Sequence, residues 1–168
     1  QAVLMLGERV VAAVTSTTEP VPAVPPVSPA EADLAMEGFL GWEGHPFPTC
    51  FVCGHEREDG LFLAPGPVAD RADTVACTWV PEEEVPPEVL WGVLDCPGGW
   101  TTDPRDDPMV LTRMTADLVG PVRLGEPHVV VARQVRRVGR VATNLTSVYG
   151  PDGALVGTSS AEWTALRL

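Results

Sequence analysis

Asp95 is the one charged residue past Glu88 in the apolar run Pro87-Glu88-Val89-Leu90-Trp91-Gly92-Val93-Leu94-Asp95-Cys96. A carboxylate among apolar side chains loses solvation of its charged form, so its pKa rises. Such a group suits general-base work near neutrality. It could instead cap the Gly98 or Gly99 amides in a Pro97-Gly98-Gly99 turn and do no chemistry.

His45-x4-Cys50-x2-Cys53-x-His55 contains the residue types of a zinc site. Its spacing is too compressed for a standard finger and no second Cys-x-x-Cys follows, so a metal-free segment is expected. Cys77 and Cys96 fall on apolar elements and read as core thiols. Arg133, Arg136, Arg137 and Arg140 crowd a predicted strand end and turn. Guanidinium groups match phosphate bidentately, so this cluster could hold a phosphate-bearing ligand. Charged side chains also guard edge strands, and strand alternation would send Arg136 and Arg137 to opposite faces. Trp79, Trp91 and Trp163 read as core residues. There is no Ser/His/Asp set, no phosphate-cradling glycine loop and no dinucleotide fingerprint.

These groups need elements to position them. Val3–Leu6 and Arg9–Val14 read as a hairpin around Gly7-Glu8. Five prolines between Thr15 and Pro29 make an extended linker, and Ser28-Pro29-Ala30-Glu31 opens a short helix. The segment from Pro87 is apolar nearly all round and predicts a buried helix, stopped or kinked at Pro97. Gly60–Ala64, Asp73–Pro81, Met109–Val119, His128–Val138, Val141–Tyr149 and Ala154–Leu166 predict strands. On the third of these Val110, Thr112, Met114, Ala116 and Leu118 should share one face. The class is therefore α+β: five to six antiparallel strands and one central buried helix.

The chain has 168 residues, 23 acidic and 11 basic side chains, and a net charge of −12. Every basic residue is arginine, which reflects GC-rich codon usage rather than chemistry. That length fits one ordinary domain. The acidic field argues against nucleic acid as a partner, although the last quarter is basic. No apolar run approaches the ~20 residues of a membrane helix. Four cysteines are too few for a disulfide scaffold, so reduced thiols in a cytoplasm are expected.

Particular motifs resemble a known family. Cys50-Phe51-Val52-Cys53-Gly54 with Asp59-Gly60-Leu61 looks like the leader of many small hotdog proteins. Met114–Glu126, Val138-Gly139-Arg140 and Pro151-Asp152-Gly153-Ala154-Leu155-Val156 are similar to strands and turns of the PaaI-like acyl-CoA thioesterases. The resemblance covers residues 46–168 and implies a hotdog fold, a sheet wrapped around a central helix. Residues 16–45 are then a proline-rich linker with a short helix. Residues 1–15 are a hairpin arm, or the remnant of an upstream hotdog unit.

The resemblance also implies a function, hydrolysis of an acyl-CoA or acyl-carrier-protein thioester. Asp95 matches the family's helix carboxylate, which acts as base or nucleophile. The family's His-Gly-Gly helix opening falls on Pro86, Pro87 and Glu88, so the motif is absent. Proline has no N–H, leaving Glu88 or Val89 as donor to an oxyanion. Thr112 is the nearest candidate for the family's strand hydroxyl. Arg133, Arg136, Arg137, Arg140 and Trp91 would bind substrate. No cofactor is implied beyond the coenzyme A carried by the substrate, and the expected assembly is a homodimer. The missing motif supports an alternative, a non-catalytic hotdog that binds an acyl thioester or serves as a structural partner. A hotdog dehydratase would need a histidine near the helix, and none lies there.

Overall fold

The computed structural model describes residues 2–167. Strands β1 (Ala2–Leu6) and β2 (Arg9–Val14) form a separate two-stranded hairpin, closed by Gly7 at φ 60°. Both strands are exposed along their whole length. Helix α1 (Pro29–Glu37) begins with a complete capping box: the Ser28 hydroxyl accepts from the Glu31 amide, and the Glu31 carboxylate accepts from the Ser28 amide.

The main sheet holds β3 (Gly66–Pro67), β4 (Thr74–Trp79), β5 (Met109–Leu118), β6 (His128–Val138), β7 (Val141–Tyr149) and β8 (Leu155–Ala165). Its order is β3-β4-β6-β7-β8-β5, antiparallel throughout. Helix α2 (Pro87–Gly99) packs across β5 to β8. Leu90, Val93 and Leu94 meet Cys77, Trp79, Val130, Val148 and Val156 in one buried cluster. This is the α+β hotdog arrangement expected from the sequence. Among the described residues no helix is long and apolar enough to cross a membrane.

The opposite sheet face is covered too. Val24 and Val27, within the proline-rich segment, are buried with Ala32, Ala35, Val129, Val131 and Tyr149. Ser147 Oγ accepts from the Val24 amide at 2.9 Å, and the Tyr149 hydroxyl donates to the Val24 carbonyl at 2.5 Å. Residues read as linker therefore pack as a strap on the sheet, because prolines leave an extended chain whose valines can face inward.

Three local expectations need correction. Gly60–Ala64 is not a strand; Phe62 takes a left-handed φ of 54°, and pairing begins only at Gly66. Helix α2 does not stop at Pro97 but runs through it to Gly99. Gly98 and Gly99 serve close packing instead: a Cβ on Gly99 would lie 3.0 Å from the Trp163 ring. The carbonyls near this end are satisfied by neighbours, with Ser159 Oγ donating to Leu94 O and Asn144 Nδ2 to Gly98 O. Finally, β5 bulges between Leu111 and Arg113. That extra residue breaks the alternation, so Met109 is buried and Val110 is 38% exposed.

Candidate functional site

Asp95 sits two-thirds of the way along α2, directly after the buried Val93 and Leu94 and just over one turn after the buried Leu90. Its Oδ1 is sealed from solvent and has no hydrogen-bond partner among the described residues. It therefore does not cap Gly98 or Gly99. Burial, and secondarily the charge on Cys50, pushes its pKa up to about 7. The carboxylate lines a narrow apolar cleft of about 140 Å³ with Cys50, Cys53, Cys96, Trp100 and Trp163 among its walls. A larger concavity, about 650 Å³, lies along β3 and β4, and Asp95 does not line it.

Cys50, Cys53 and Cys96 bring their sulfurs within 4.8 Å of one another. The Cys96 thiol points to Cys53 Sγ at 2.8 Å, and Trp100 Nε1 donates to the same sulfur at 3.4 Å. Hydrogen bonds from the Cys53 and Cys96 thiols, with the Cys53 and Val52 amides, push the Cys50 pKa far down. The Cys53 thiol is pushed up to about 12 by its bond to Cys50, and Cys96 rises well above its usual value for the same reason. Cys96 is not a plain core thiol, and Cys77 alone keeps that description, with burial raising its pKa to about 12.

The two histidines of the leader do not turn to these sulfurs. His45 Nδ1 accepts from the Phe47 amide at 2.9 Å, so its Nε2 carries the proton and donates to the Cys53 carbonyl at 3.1 Å. His55 lies against Trp42 with ring centroids 4.5 Å apart. Phe39, Trp42 and Trp100 complete an aromatic cluster around them. Burial lowers the pKa of both imidazoles.

The helix opening is poor in donors. Pro86 caps α2 without a side-chain bond, and Pro87 is its first residue. The Val89 and Leu90 amides both donate to the Pro86 carbonyl, at 3.0 and 3.2 Å. The sequence left Glu88 or Val89 as donor; of these two the Val89 N–H is taken by the Pro86 carbonyl, which leaves the Glu88 N–H. Glu88 itself is exposed. Seven residues at ~1.5 Å rise put Asp95 about 10 Å further along the same helix.

The other expected site residues are dispersed. Thr112, in the β5 bulge, is exposed; its hydroxyl donates to the Glu162 carbonyl at 3.0 Å and meets Thr164 Oγ1 at 3.1 Å. It does not line the Asp95 cleft, nor does Trp91, which is half-buried. The arginines divide between sheet faces. Arg133 pairs with Leu145 and, past a bulge after Gln134, Arg136 pairs with Thr143, both on the strap face. Arg137 pairs with Ala142 on the helix side and is ion-paired with Asp107. Arg140 is exposed in the β6–β7 turn. None of the four lines the Asp95 cleft.

Cys96 and Trp100 were missed as site residues. Local sequence carries no sign that the end of an apolar helix will meet a Cys-x-x-Cys loop more than forty residues earlier.

No protein-family model matches the chain, and no curated protein matches it. Solved structures do. A thioesterase superfamily protein superposes with a TM-score of 0.62 at 17% identity, covering 73% of this chain and 67% of the other. A Streptococcus mutans protein bound to acetyl-CoA gives 0.55 at 13% identity, covering 67% and 94%. The E. coli PaaI protein from a phenylacetic acid degradation operon gives 0.51 at 11%, covering 56% and 74%. At these identities the likeness is one of fold, the hotdog fold of thioesterase-superfamily proteins.

Proposed function

We propose that the protein hydrolyses an acyl thioester, with Asp95 as the catalytic carboxylate. The observation that carries this reading is the orphaned Asp95 oxygen in an apolar cleft on the central helix. A carboxylate held there without a partner costs stability, which is the signature of a group kept for chemistry. As general base it takes a proton from water while the water oxygen adds to the thioester carbonyl. The tetrahedral intermediate collapses with loss of the thiolate, which recovers the proton. The products are the carboxylic acid and free thiol.

The acetyl-CoA in the Streptococcus mutans relative supports coenzyme A as the thiol. All four clustered arginines are exposed, and Arg133, Arg136 and Arg140, outside the Arg137–Asp107 ion pair, are the ones to meet its phosphates. The Glu88 N–H and Asp95, about 10 Å apart along one helix, cannot both reach one carbonyl. A homodimer removes this difficulty, since antiparallel helices from two copies can set one copy's Glu88 beside the other's Asp95. The outer edge of β5, which ends the sheet among the described residues, is available for such pairing. This chemistry suits a cytoplasmic protein, where acyl-CoA pools lie.

The single free amide at the helix opening favours a second reading, a hotdog that binds an acyl thioester without hydrolysing it. A panel of acyl-CoA esters with thiol detection separates the two. Turnover supports hydrolysis; a raised Tm with acyl-CoA and no thiol release supports binding alone.

A further inference from the structure

The hydrolytic reading leaves three thiols unused. They come from two distant segments, Cys50 and Cys53 from the leader loop and Cys96 from α2, yet their sulfurs converge within 4.8 Å. The loop is folded tightly to achieve this. A Cβ on Gly54 would lie 2.4 Å from the Pro48 carbonyl oxygen and 2.5 Å from the Cys50 nitrogen, both backbone atoms. The Gly54 amide donates to the Cys50 carbonyl at 2.9 Å, closing the turn. Trp100 Nε1 supplies a donor to Cys53 Sγ. Donors aimed at sulfur stabilise thiolates, the form that binds metal, and packed core thiols have no use for them.

We propose that Cys50, Cys53 and Cys96 form a three-thiolate site for one soft divalent cation, zinc. Zn–S bonds of ~2.3 Å place tetrahedral ligands about 3.8 Å apart, within the span of this cluster. The Cys53–Cys96 separation of 2.8 Å must open by roughly 1 Å, a side-chain rotation. Thiolates select zinc over magnesium or calcium. Binding displaces the thiol protons to solvent, and three thiolates with one divalent ion leave a single net negative charge. His45 and His55 are not ligands, since the first is bonded through both nitrogens and the second lies against Trp42. The fourth place belongs to solvent in the cleft that all three cysteines line. The bound ion ties the leader loop to the central helix, and this role holds whether or not the protein hydrolyses thioesters.

The test uses the full chain, purified under reducing conditions and titrated with Co(II) and then Zn(II). The expected result is one Co(II) per chain, with intense thiolate-to-cobalt charge-transfer absorption and the visible bands of tetrahedral Co(II), both abolished by Zn(II). Cys96→Ser, and separately Cys50→Ser in the loop, should weaken Co(II) binding by about 100-fold or more. Cys77→Ala and Asp95→Asn should keep the bands, so loss of hydrolysis and loss of metal are separable. No charge-transfer absorption in the reduced chain would overturn the proposal. So would uptake unchanged in both serine variants, or a Cys53–Cys96 disulfide in the isolated protein with no metal uptake after reduction.

Discussion

The Cys96 sulfur lies 2.8 Å from that of Cys53, 43 positions away in the chain. Asp95, the neighbour of Cys96 on α2, lines the same cleft as both. One helical turn thus presents a carboxylate and a thiol to a single apolar space, and the leader loop closes over it. The candidate chemistry of the protein depends on this closure.

Asp95→Asn should reduce acyl-CoA hydrolysis to background without lowering Tm. The substitution removes an orphaned buried charge, so the fold gives up no hydrogen bond. Steady-state thiol release and a thermal melt check both halves. Retained turnover would remove Asp95 from the mechanism.

Glu88→Gln should raise kcat by roughly two- to fivefold, as expected for removing one solvent-screened charge near a developing oxyanion. The side chain sits beside the one free amide of the helix opening. The gain should shrink with added salt. Unchanged kcat at low ionic strength would place the oxyanion elsewhere.

Gly99→Ala should destabilise the protein by about 1–3 kcal/mol, the range for overpacking. The new methyl would stand 3.0 Å from the Trp163 ring, which must move. Urea unfolding measures the loss, and a shifted tryptophan emission would report movement of the cleft wall. Gly125→Ala offers a contrast, because no atom lies within 4 Å there and its cost comes from a φ of 70° alone.

The contribution of His128 to stability should fall as pH drops below about 6.5, the ordinary histidine value. His128 is fully buried; its Nε2 accepts from the Arg123 amide at 3.2 Å, and its Nδ1 donates to the Glu126 carbonyl at 2.9 Å. Burial lowers its folded pKa. The unfolded chain then binds the proton more readily than the folded one, so the contribution is complete above the unfolded pKa and is lost as pH falls through the folded value. His128→Asn should flatten that part of the profile, measured by urea unfolding at pH 7.5 and 5.5. An identical slope in the variant would contradict the assignment. His45 and His55 shift the same way, whereas Asp95, with its pKa raised by burial, opposes them because its protonation relieves a buried charge.

Much of the fold was legible in the sequence. Hydrophobic period marked β4 to β8 and the all-round apolar α2, because burial on one face or on all faces leaves a pattern in the chain itself. The Ser28 cap and the Gly7 turn were equally local. The lone carboxylate of Asp95 stood out for the same reason, as a charge where every neighbour is apolar. Tertiary structure decided the rest. Whether Pro97-Gly98-Gly99 ends a helix or admits a tryptophan depends on Trp163, far along the chain. Whether four clustered arginines form one patch depends on a bulge at Val135 and on Asp107. Whether Cys96 is a core thiol or one of three converging sulfurs depends on where the leader loop lands. Periodicity reports what a segment buries; only packing between distant segments decides which side chains meet.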